Sequence, residues 1–336
     1  MIAVLFPVLV VTWGSAPADA ADPADAIAMR MGPGVNILGY DGVWEGGTDA
    51  PFRRRYFRMI AQAGFRHVRI NLYAFKYLDA ANQLDPALLR RLDWVLEQTI
   101  AAGLIPVIDE HDFEICQADA HSCTTKLKAF WNQVVARYGS RYPEAVYEIL
   151  NEPGGNINQA TWNSIVADTL AIIRKASPHR TVIVAALNTE APLADRLPTL
   201  PDTDRNLIVT VHYYAPMQFT HQGAPWSPEF RSKSPVGWGS MADRLRMSAD
   251  LEQVGAWARA VRRPIYLGEF GVYDAAPASD RARYVGSIAA TAYRLGWPFA
   301  YWQFDHDFAL YDTVRERWNE PVLRKLVPRG VIKRGE

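Results

Sequence analysis

The chain has 336 residues and balances 36 lysines and arginines against 36 aspartates and glutamates. This balance excludes the basic field that nucleic-acid binding requires and leaves no polybasic patch for a membrane surface. The 11 tryptophans and 15 tyrosines are many for this length, and such rings suit sugar faces as well as protein cores. Composition therefore favours an uncharged substrate.

The N-terminus begins with an apolar run over residues 2–13, followed by small residues and Ala18-Asp19-Ala20. This pattern is typical of a secretory signal with an A-x-A cleavage site, although no lysine or arginine precedes Arg30. We expect residues 1–20 to be a signal peptide and residues 21–31 a short spacer, so that the protein is exported to the periplasm or secreted. The alternative is a buried first strand. No later segment is apolar for long enough to cross a bilayer, so we predict no transmembrane segment.

From residue 30 onward, short apolar strands alternate with helical stretches at intervals of about 30 to 40 residues. The predicted strands are Val35–Leu38, His67–Leu72, Ile105–Ile108, Val146–Leu150, Thr181–Ala185, Leu207–His212, Ile265–Gly268 and Phe299–Trp302. Eight strands that alternate with helices predict a parallel sheet, and closure into a (β/α)8 TIM barrel is the economical solution. We therefore predict an α/β fold with one catalytic domain over residues 32–330. An open doubly wound sheet is the alternative, but no G-x-G-x-x-G follows the first strand.

Helix signals separate these strands. In residues 84–103, Asp85 can cap a helix, Pro86 suits its first turn and Gly103 can end it. Its predicted apolar face consists of Leu89, Leu92, Leu96 and Ile100. A second helix over residues 161–176 has the same periodicity and stops before Pro178.

Cys116 and Cys123 are the only cysteines and lie in one polar loop of this pattern. In an exported protein we expect a local disulfide that closes the loop, whereas a cytosolic protein would keep two free thiols. No C-x-x-C pair is present, which argues against a zinc ribbon or a thioredoxin-type redox site.

Polar side chains follow the predicted strands at the ends where barrel enzymes build their sites. They are Arg69 and Asn71 near the end of the second strand, Asp109 and His111 after the third, Asn151 and Glu152 after the fourth, His212 at the end of the sixth and Tyr214 just beyond it, Glu269 after the seventh, and Trp302 at the end of the eighth with Asp305 and His306 beyond it. Glu152 and Glu269 should face each other across the mouth of the barrel.

Two carboxyl groups flanked by aromatic and imidazole rings are what glycoside hydrolysis needs, one as acid and one as nucleophile. Arg69 and Tyr214 would hold Glu269 ionised, because opposite charge and hydrogen bonds favour the anion. Glu152 would then be the acid. Glu148 lies on the same strand and would be about 13 Å deeper at 3.3 Å per residue, as a buried structural carboxylate.

Other polar and aromatic side chains suit contacts with a sugar. The amide of Asn151 can bond a 2-hydroxyl, an interaction that strengthens in the transition state. Trp302 offers a flat floor for the ring at the cleavage point. Trp44, Trp226 and Trp238 lie in loops expected to rim the mouth, so each is a candidate sugar platform.

The set Arg69, His111, Asn151-Glu152-Pro153, His212-x-Tyr214, Glu269 and Trp302 resembles glycoside hydrolase family 5, the cellulase family, whose members are retaining (β/α)8 enzymes. The resemblance covers residues 34–312 in order. It implies that Glu152 is the acid/base, that Glu269 is the nucleophile, and that the other six residues line the cleavage subsite. Residues 212–226 are similar to the sixth-strand loop of bacterial endoglucanases. The third strand ends D-E-H-D-F where many relatives have paired histidines, a difference that bears on substrate preference.

We therefore predict a monomeric retaining endo-β-1,4-glucanase that acts on β-glucan polysaccharides or oligosaccharides without a cofactor or metal. β-Mannan, xyloglucan and β-1,3-glucan are alternative substrates for the same catalytic set.

Two other classes remain as alternatives. A metal-dependent hydrolase could take ligands from Asp109, His111, His212 and Glu269, but no H-x-H follows the first strand and no lysine lies at a strand tip. A non-catalytic sugar-binding barrel would keep the cleft without turnover.

Overall fold

The computed structural model describes residues 23–39, 44, 52–230 and 235–328. Within them, eight parallel strands form a closed barrel in chain order, in which β1 pairs with both β2 and β8. The strands are β1 (Pro33–Ile37), β2 (His67–Leu72), β3 (Ile105–Glu110), β4 (Val146–Glu148), β5 (Val182–Ala185), β6 (Leu207–His212), β7 (Ile265–Glu269) and β8 (Phe299–Tyr301). The predicted (β/α)8 barrel is confirmed. The predicted signal peptide over residues 1–20 lies outside the described residues.

Helices connect the strands and cover the barrel. They are α1 (Pro23–Met31), α2 (Arg54–Ala63), α3 (Pro86–Ala101), α4 (Phe113–Ala118), α5 (Ala120–Tyr138), α6 (Gln159–Ala176), α7 (Met217–Thr220), α8 (Met241–Val261), α9 (Ala278–Leu295) and α10 (Glu320–Leu326). Near the C-terminus, β9 (Tyr311–Asp312) and β10 (Arg317–Trp318) form a small antiparallel pair. None of the described helices combines the length and apolar character that a membrane crossing needs.

Two helix signals in the sequence mark helix ends in the structure. The Asp85 side chain accepts a hydrogen bond from the Ala87 amide at the start of α3. Helix α6 ends at Ala176, two residues before Pro178. The buried face of α3 includes the predicted Leu92 and Leu96, whereas the predicted Leu89 and Ile100 are only partly buried. Leu88, Val95 and Thr99 are buried in addition.

Residues 23–31 do not form the predicted spacer. They form α1, in which Ala24, Ala28 and Met31 are buried. These side chains pack with Ile105, Tyr266 and other residues in a small apolar cluster at the amino ends of the strands. Helix α1 therefore closes the floor of the barrel and belongs to its domain. The spacer prediction failed because this apolar face becomes evident only when the barrel end is present to cover it.

The fourth strand is shorter than predicted, since it ends at Glu148 and not at Leu150. Beyond it the chain turns, and Glu152 has a φ angle of 39°. Side-chain alternation applies only to extended backbone. The extended backbone from which the 13 Å separation of Glu148 and Glu152 was predicted is therefore absent beyond Glu148.

A disulfide joins Cys116 and Cys123, and both cysteines are buried. The segment that it closes is helical and not the expected polar loop, because Cys116 lies in α4 and Cys123 in α5. The bridge ties the short helix α4 to the long helix α5. Helix α4 follows β3 directly and so lies next to the carboxyl ends of the strands.

Candidate active site

The carboxyl ends of the strands open into a cavity of about 880 Å³. Seven of the eight predicted site residues line it, namely His111, Asn151, Glu152, His212, Tyr214, Glu269 and Trp302. The eighth, Arg69, is fully buried beneath them and contacts two of them, Asn151 and Glu269. The structure therefore brings these eight residues together.

Glu152 and Glu269 face each other from opposite sides of the cavity. Glu152 follows β4, whereas Glu269 is the last residue of β7. Carboxylate oxygens of the two residues lie within 4.8 Å of each other. The ring of His212 stands between them, with Nδ1 2.8 Å from Oε1 of Glu152 and 3.6 Å from Oε2 of Glu269.

Both oxygens of Glu269 accept hydrogen bonds. Arg69 Nη1 donates to Oε1 at 2.6 Å, and the hydroxyl of Tyr214 donates to Oε2 at 2.9 Å. The side chain is only 6% exposed, so water competes little with these donors. The guanidinium and the phenol therefore hold the Glu269 carboxylate by both of its oxygens.

Arg69 is shared by three carboxylates. It forms a bidentate pair with Glu148 at 2.8 and 2.9 Å, and its Nη2 lies 3.1 Å from Oδ2 of Asp109. Burial raises the pKa of Glu148 and brings the pKa of Asp109 to about 7, although Arg69 acts in the opposite direction. Arg69 therefore has two roles. It neutralises the buried carboxylate of Glu148, and it also holds Glu269.

Glu152 has a different environment from Glu269. Its side chain is 24% exposed to the cavity. Burial raises the pKa of Glu152, and the positive charges of Arg69 and Arg196 oppose this only in part. A carboxyl group with a raised pKa retains its proton more readily, as a general acid must.

The two histidines of the site are neutral near pH 7. Burial lowers the pKa of His111 to about 3 and that of His212 to about 4. His111 stacks on Trp302, with ring centroids 5.6 Å apart and an interplanar angle of 7°, while its Nδ1 lies 2.5 Å from Oδ2 of Asp109. Asp109 thus fixes the orientation of a ring that lines the cavity.

Two of the three candidate sugar platforms belong to the core. Trp44 is 3% exposed and its indole donates to the backbone oxygen of Leu38. Trp238 is 4% exposed and packs edge-on against Tyr284 at 5.0 Å. Neither lines the cavity, so the platform prediction is corrected for both. Trp226 does line it and is 50% exposed.

Sequence reasoning missed polar residues that support the site. Asn36 at the end of β1 accepts from Arg69 Nη1 at 3.0 Å. Asn188, three residues after β5, donates to Oε2 of Glu152 at 3.1 Å. Its position just beyond the fifth strand was a usable signal, because the carboxyl ends of all eight strands meet at one mouth. Gln117 of α4 donates to the backbone oxygen of Glu152 at 3.0 Å, and no local pattern indicates this contact.

Among the described residues, Glu152, His212 and Glu269 form a group that could offer three ligand atoms to a metal ion. The larger ligand set considered from the sequence, with Asp109 and His111, does not assemble there. A cation would have to compete with the buried guanidinium of Arg69, which already neutralises Glu269. This arrangement fits an organic substrate better than a divalent ion.

Comparisons with known proteins agree with this geometry. The family model described as Cellulase (glycosyl hydrolase family 5) matches residues 30–307. Endoglucanase H of Acetivibrio thermocellus is 26% identical over 341 residues, a match that covers 95% of this chain and 35% of that protein. The chain thus spans about a third of the length of this relative.

Solved structures with the same fold are also similar in sequence. Thermotoga maritima Cel5A in complex with mannotriose substrate superposes with a TM-score of 0.84 at 30% identity, covering 90% of this chain and all of that one. The cellulose synthase subunit Z of Clostridioides difficile gives a TM-score of 0.82 at 29% identity, covering 88% of this chain and 99% of that one. The family model covers most of the chain, and the chain therefore belongs to the cellulase family, glycosyl hydrolase family 5.

Proposed function

We propose that the chain is a retaining endo-β-1,4-glucanase in which Glu269 is the nucleophile and Glu152 the acid/base. One observation carries the proposal: two carboxyl groups in unlike environments approach within 4.8 Å across an open cavity. Retaining glycosidases keep these groups about 5–5.5 Å apart, whereas inverting enzymes need roughly 6.5–9.5 Å for a water molecule. The short separation therefore supports retention.

The proposed reaction has two steps. Glu269 attacks the anomeric carbon and forms a glycosyl ester, while Glu152 gives its proton to the departing glycosidic oxygen. Glu152, now ionised, then takes a proton from water, which attacks the same carbon and releases Glu269 as a carboxylate. Arg69 and Tyr214 hold the carboxylate before attack and receive it again after hydrolysis.

Asn151 and Trp302 would bind the sugar at the cleavage point. The Oδ1 atom of Asn151 accepts from Arg69 Nη2 at 2.9 Å, which turns the NH₂ end of its amide toward the sugar hydroxyls. Trp302 is held by its stack on His111 and presents an apolar ring to the cavity. Trp226 remains the proposed outer platform, because it alone of the three candidates lines the cavity.

β-1,4-Glucan is the substrate that the named relatives favour, since several are called endoglucanases. Mannan is the second candidate, because a similar structure, Thermotoga maritima Cel5A, was solved with mannotriose as well as with cellobiose. Hydrolysis of carboxymethylcellulose, mannan, xyloglucan, lichenan and laminarin, with product lengths, would rank the substrates. Products of mixed length from carboxymethylcellulose would support endo action on glucan.

The mechanism is tested with two variants and two kinds of substrate. Glu269→Ala should lose activity on both a glycan and an activated dinitrophenyl glycoside, because no nucleophile remains. Glu152→Ala should lose roughly 10²–10⁴-fold on the glycan but still form the intermediate from the activated glycoside, whose leaving group needs no proton. Glu144→Ala, at the opposite end of the barrel just before β4, is the control. Equal losses on both substrates in Glu152→Ala would refute the acid assignment.

We also propose that the protein is exported and acts as a monomer. The disulfide between buried Cys116 and Cys123 supports export, because such bridges persist mainly in oxidising compartments. The apolar N-terminal run supports it independently. Fractionation of the source cells and size-exclusion chromatography would test the two statements.

A further inference from the structure

The turn that carries Glu152 is held from two sides by amide side chains. Its φ angle of 39° is a left-handed conformation, which a glutamate adopts only when its surroundings enforce it. Gln117 donates to the backbone oxygen of Glu152 at 3.0 Å, whereas Asn188 donates to the carboxyl Oε2 at 3.1 Å. One contact therefore acts on the main chain and the other on the reacting group.

Asn188 is attached to this turn through its own backbone. Its amide donates to the carbonyl oxygen of Pro153 at 2.6 Å, and Gly154 forms a parallel bridge with it. The approach is so close that a Cβ at Gly154 would lie 2.4 Å from the backbone oxygen of Asn188. The side chain of Asn188 therefore keeps its place relative to Glu152 even though it is exposed to solvent.

The hydrogen bond from Asn188 completes the hydrogen bonding of the Glu152 carboxyl group. His212 Nδ1 lies 2.8 Å from Oε1, and Asn188 Nδ2 lies 3.1 Å from Oε2. With one partner on each oxygen, the plane of the carboxyl group is fixed. The charged or titratable groups that face Glu152 from the surrounding elements are Arg69, Asp109, His111, Arg196, His212 and Glu269. Asn188 adds a neutral donor to this set.

We propose that Asn188 is a positioning residue for Glu152, whose amide orients the carboxyl group and stabilises the carboxylate that remains after proton transfer. The proposal rests on the proposed function, in which Glu152 must ionise and regain a proton in every cycle. It extends beyond the family set named above, because Asn188 follows β5 and does not belong to that set.

The test compares the pH dependence of kcat/KM on a glycan in Asn188→Ala and Asn188→Asp. Loss of a donor to the anion raises the pKa of the acid, so Asn188→Ala should move the alkaline limb upward by about half to one pH unit. The contact is exposed, which keeps this shift modest. Asn188→Asp should move it further, because a second carboxylate opposes ionisation of Glu152. Activity on the glycan should fall more than activity on a dinitrophenyl glycoside.

Gln117→Ala is the matched control. It also removes an amide that donates to Glu152, at 3.0 Å against 3.1 Å for Asn188, but this amide bonds the backbone oxygen and not the carboxyl group. It should lower thermal stability while leaving the alkaline limb where it is in the wild-type enzyme. A shift in Gln117→Ala equal to that in Asn188→Ala would overturn the proposal, because both would then report only a disturbed turn. Alkaline limbs unchanged in both Asn188 variants would also overturn it.

Failure of this inference can be told apart from failure of the proposed function. Glu152→Ala alone tests the function through its two substrates, whatever Asn188 does. In the Glu152→Ala background, Asn188→Ala should cause no further shift of the pH profile and less than a twofold change in activity on the dinitrophenyl glycoside. A further shift there would mean that Asn188 acts through another group.

Discussion

Replacing Arg69 with methionine should lower the free energy of unfolding, because three carboxylates lose the buried cation that they share. The guanidinium pairs with Glu148, Asp109 and Glu269 at 2.8, 3.1 and 2.6 Å, and Arg69, Glu148 and Asp109 have side chains with no exposure. Removing one partner of a buried ion pair costs about 3–5 kcal/mol, because the other charge remains unpaired in the interior. That is a large share of a total stability of roughly 5–15 kcal/mol.

The loss of unfolding free energy in Arg69→Met should increase as the pH rises. Without Arg69, the pKa values of Asp109 and Glu148 rise further above their unfolded values near 4. A carboxyl group with a raised folded pKa destabilises the fold as pH rises through the window between the two values. Urea unfolding should therefore show a smaller loss at pH 5 than at pH 8. A variant within about 1 kcal/mol of wild type, or with equal losses at both pH values, would refute this reasoning.

Two further variants isolate the cause of this loss. Adding Glu148→Leu to Arg69→Met removes one unpaired charge and should restore about half of the lost stability at pH 8. Arg324→Met is the surface control, because Arg324 pairs with Glu320 at 3.1 Å while both side chains are more than half exposed. It should cost less than about 1 kcal/mol. A double variant no more stable than Arg69→Met would mean that lost packing, and not charge, dominates.

Three other outcomes are expected. Replacing Cys116 and Cys123 together with alanine should cost about 2 kcal/mol of unfolding free energy, since the bridge closes a short loop, and reduction of the wild-type protein should match it in urea titrations. The imidazoles of His111 and His212 should show no titration between pH 5 and 8 by NMR, because burial keeps their pKa values near 3 and 4; a midpoint near 6.5 for either would contradict the geometry. Exhaustive chelation should leave activity unchanged, whereas a loss that is reversed by added metal would revive the metal alternative.

Local patterns in the sequence were enough to predict the barrel and the two carboxyl groups that face each other at its mouth. Strands β2 and β6 have the predicted bounds. Once eight parallel strands are recognised, the residues at their carboxyl ends must meet at one mouth. Glu152 and Glu269 could therefore be paired although 117 residues separate them.

Contacts between segments that are distant in the sequence become visible only in the tertiary structure. Trp44, Trp226 and Trp238 look alike in the sequence, yet only Trp226 faces the cavity, because burial depends on what packs over each ring. The hydrogen bond from Arg69 to Glu269 joins residues 200 positions apart, and the one from Asn188 to Glu152 joins residues 36 positions apart. Periodicity reports which face of an element is apolar, but it carries no information about which partner covers that face. The fold and the two facing carboxyl groups could therefore be predicted from sequence patterns, whereas the side chains that hold these groups became evident only in the packed structure.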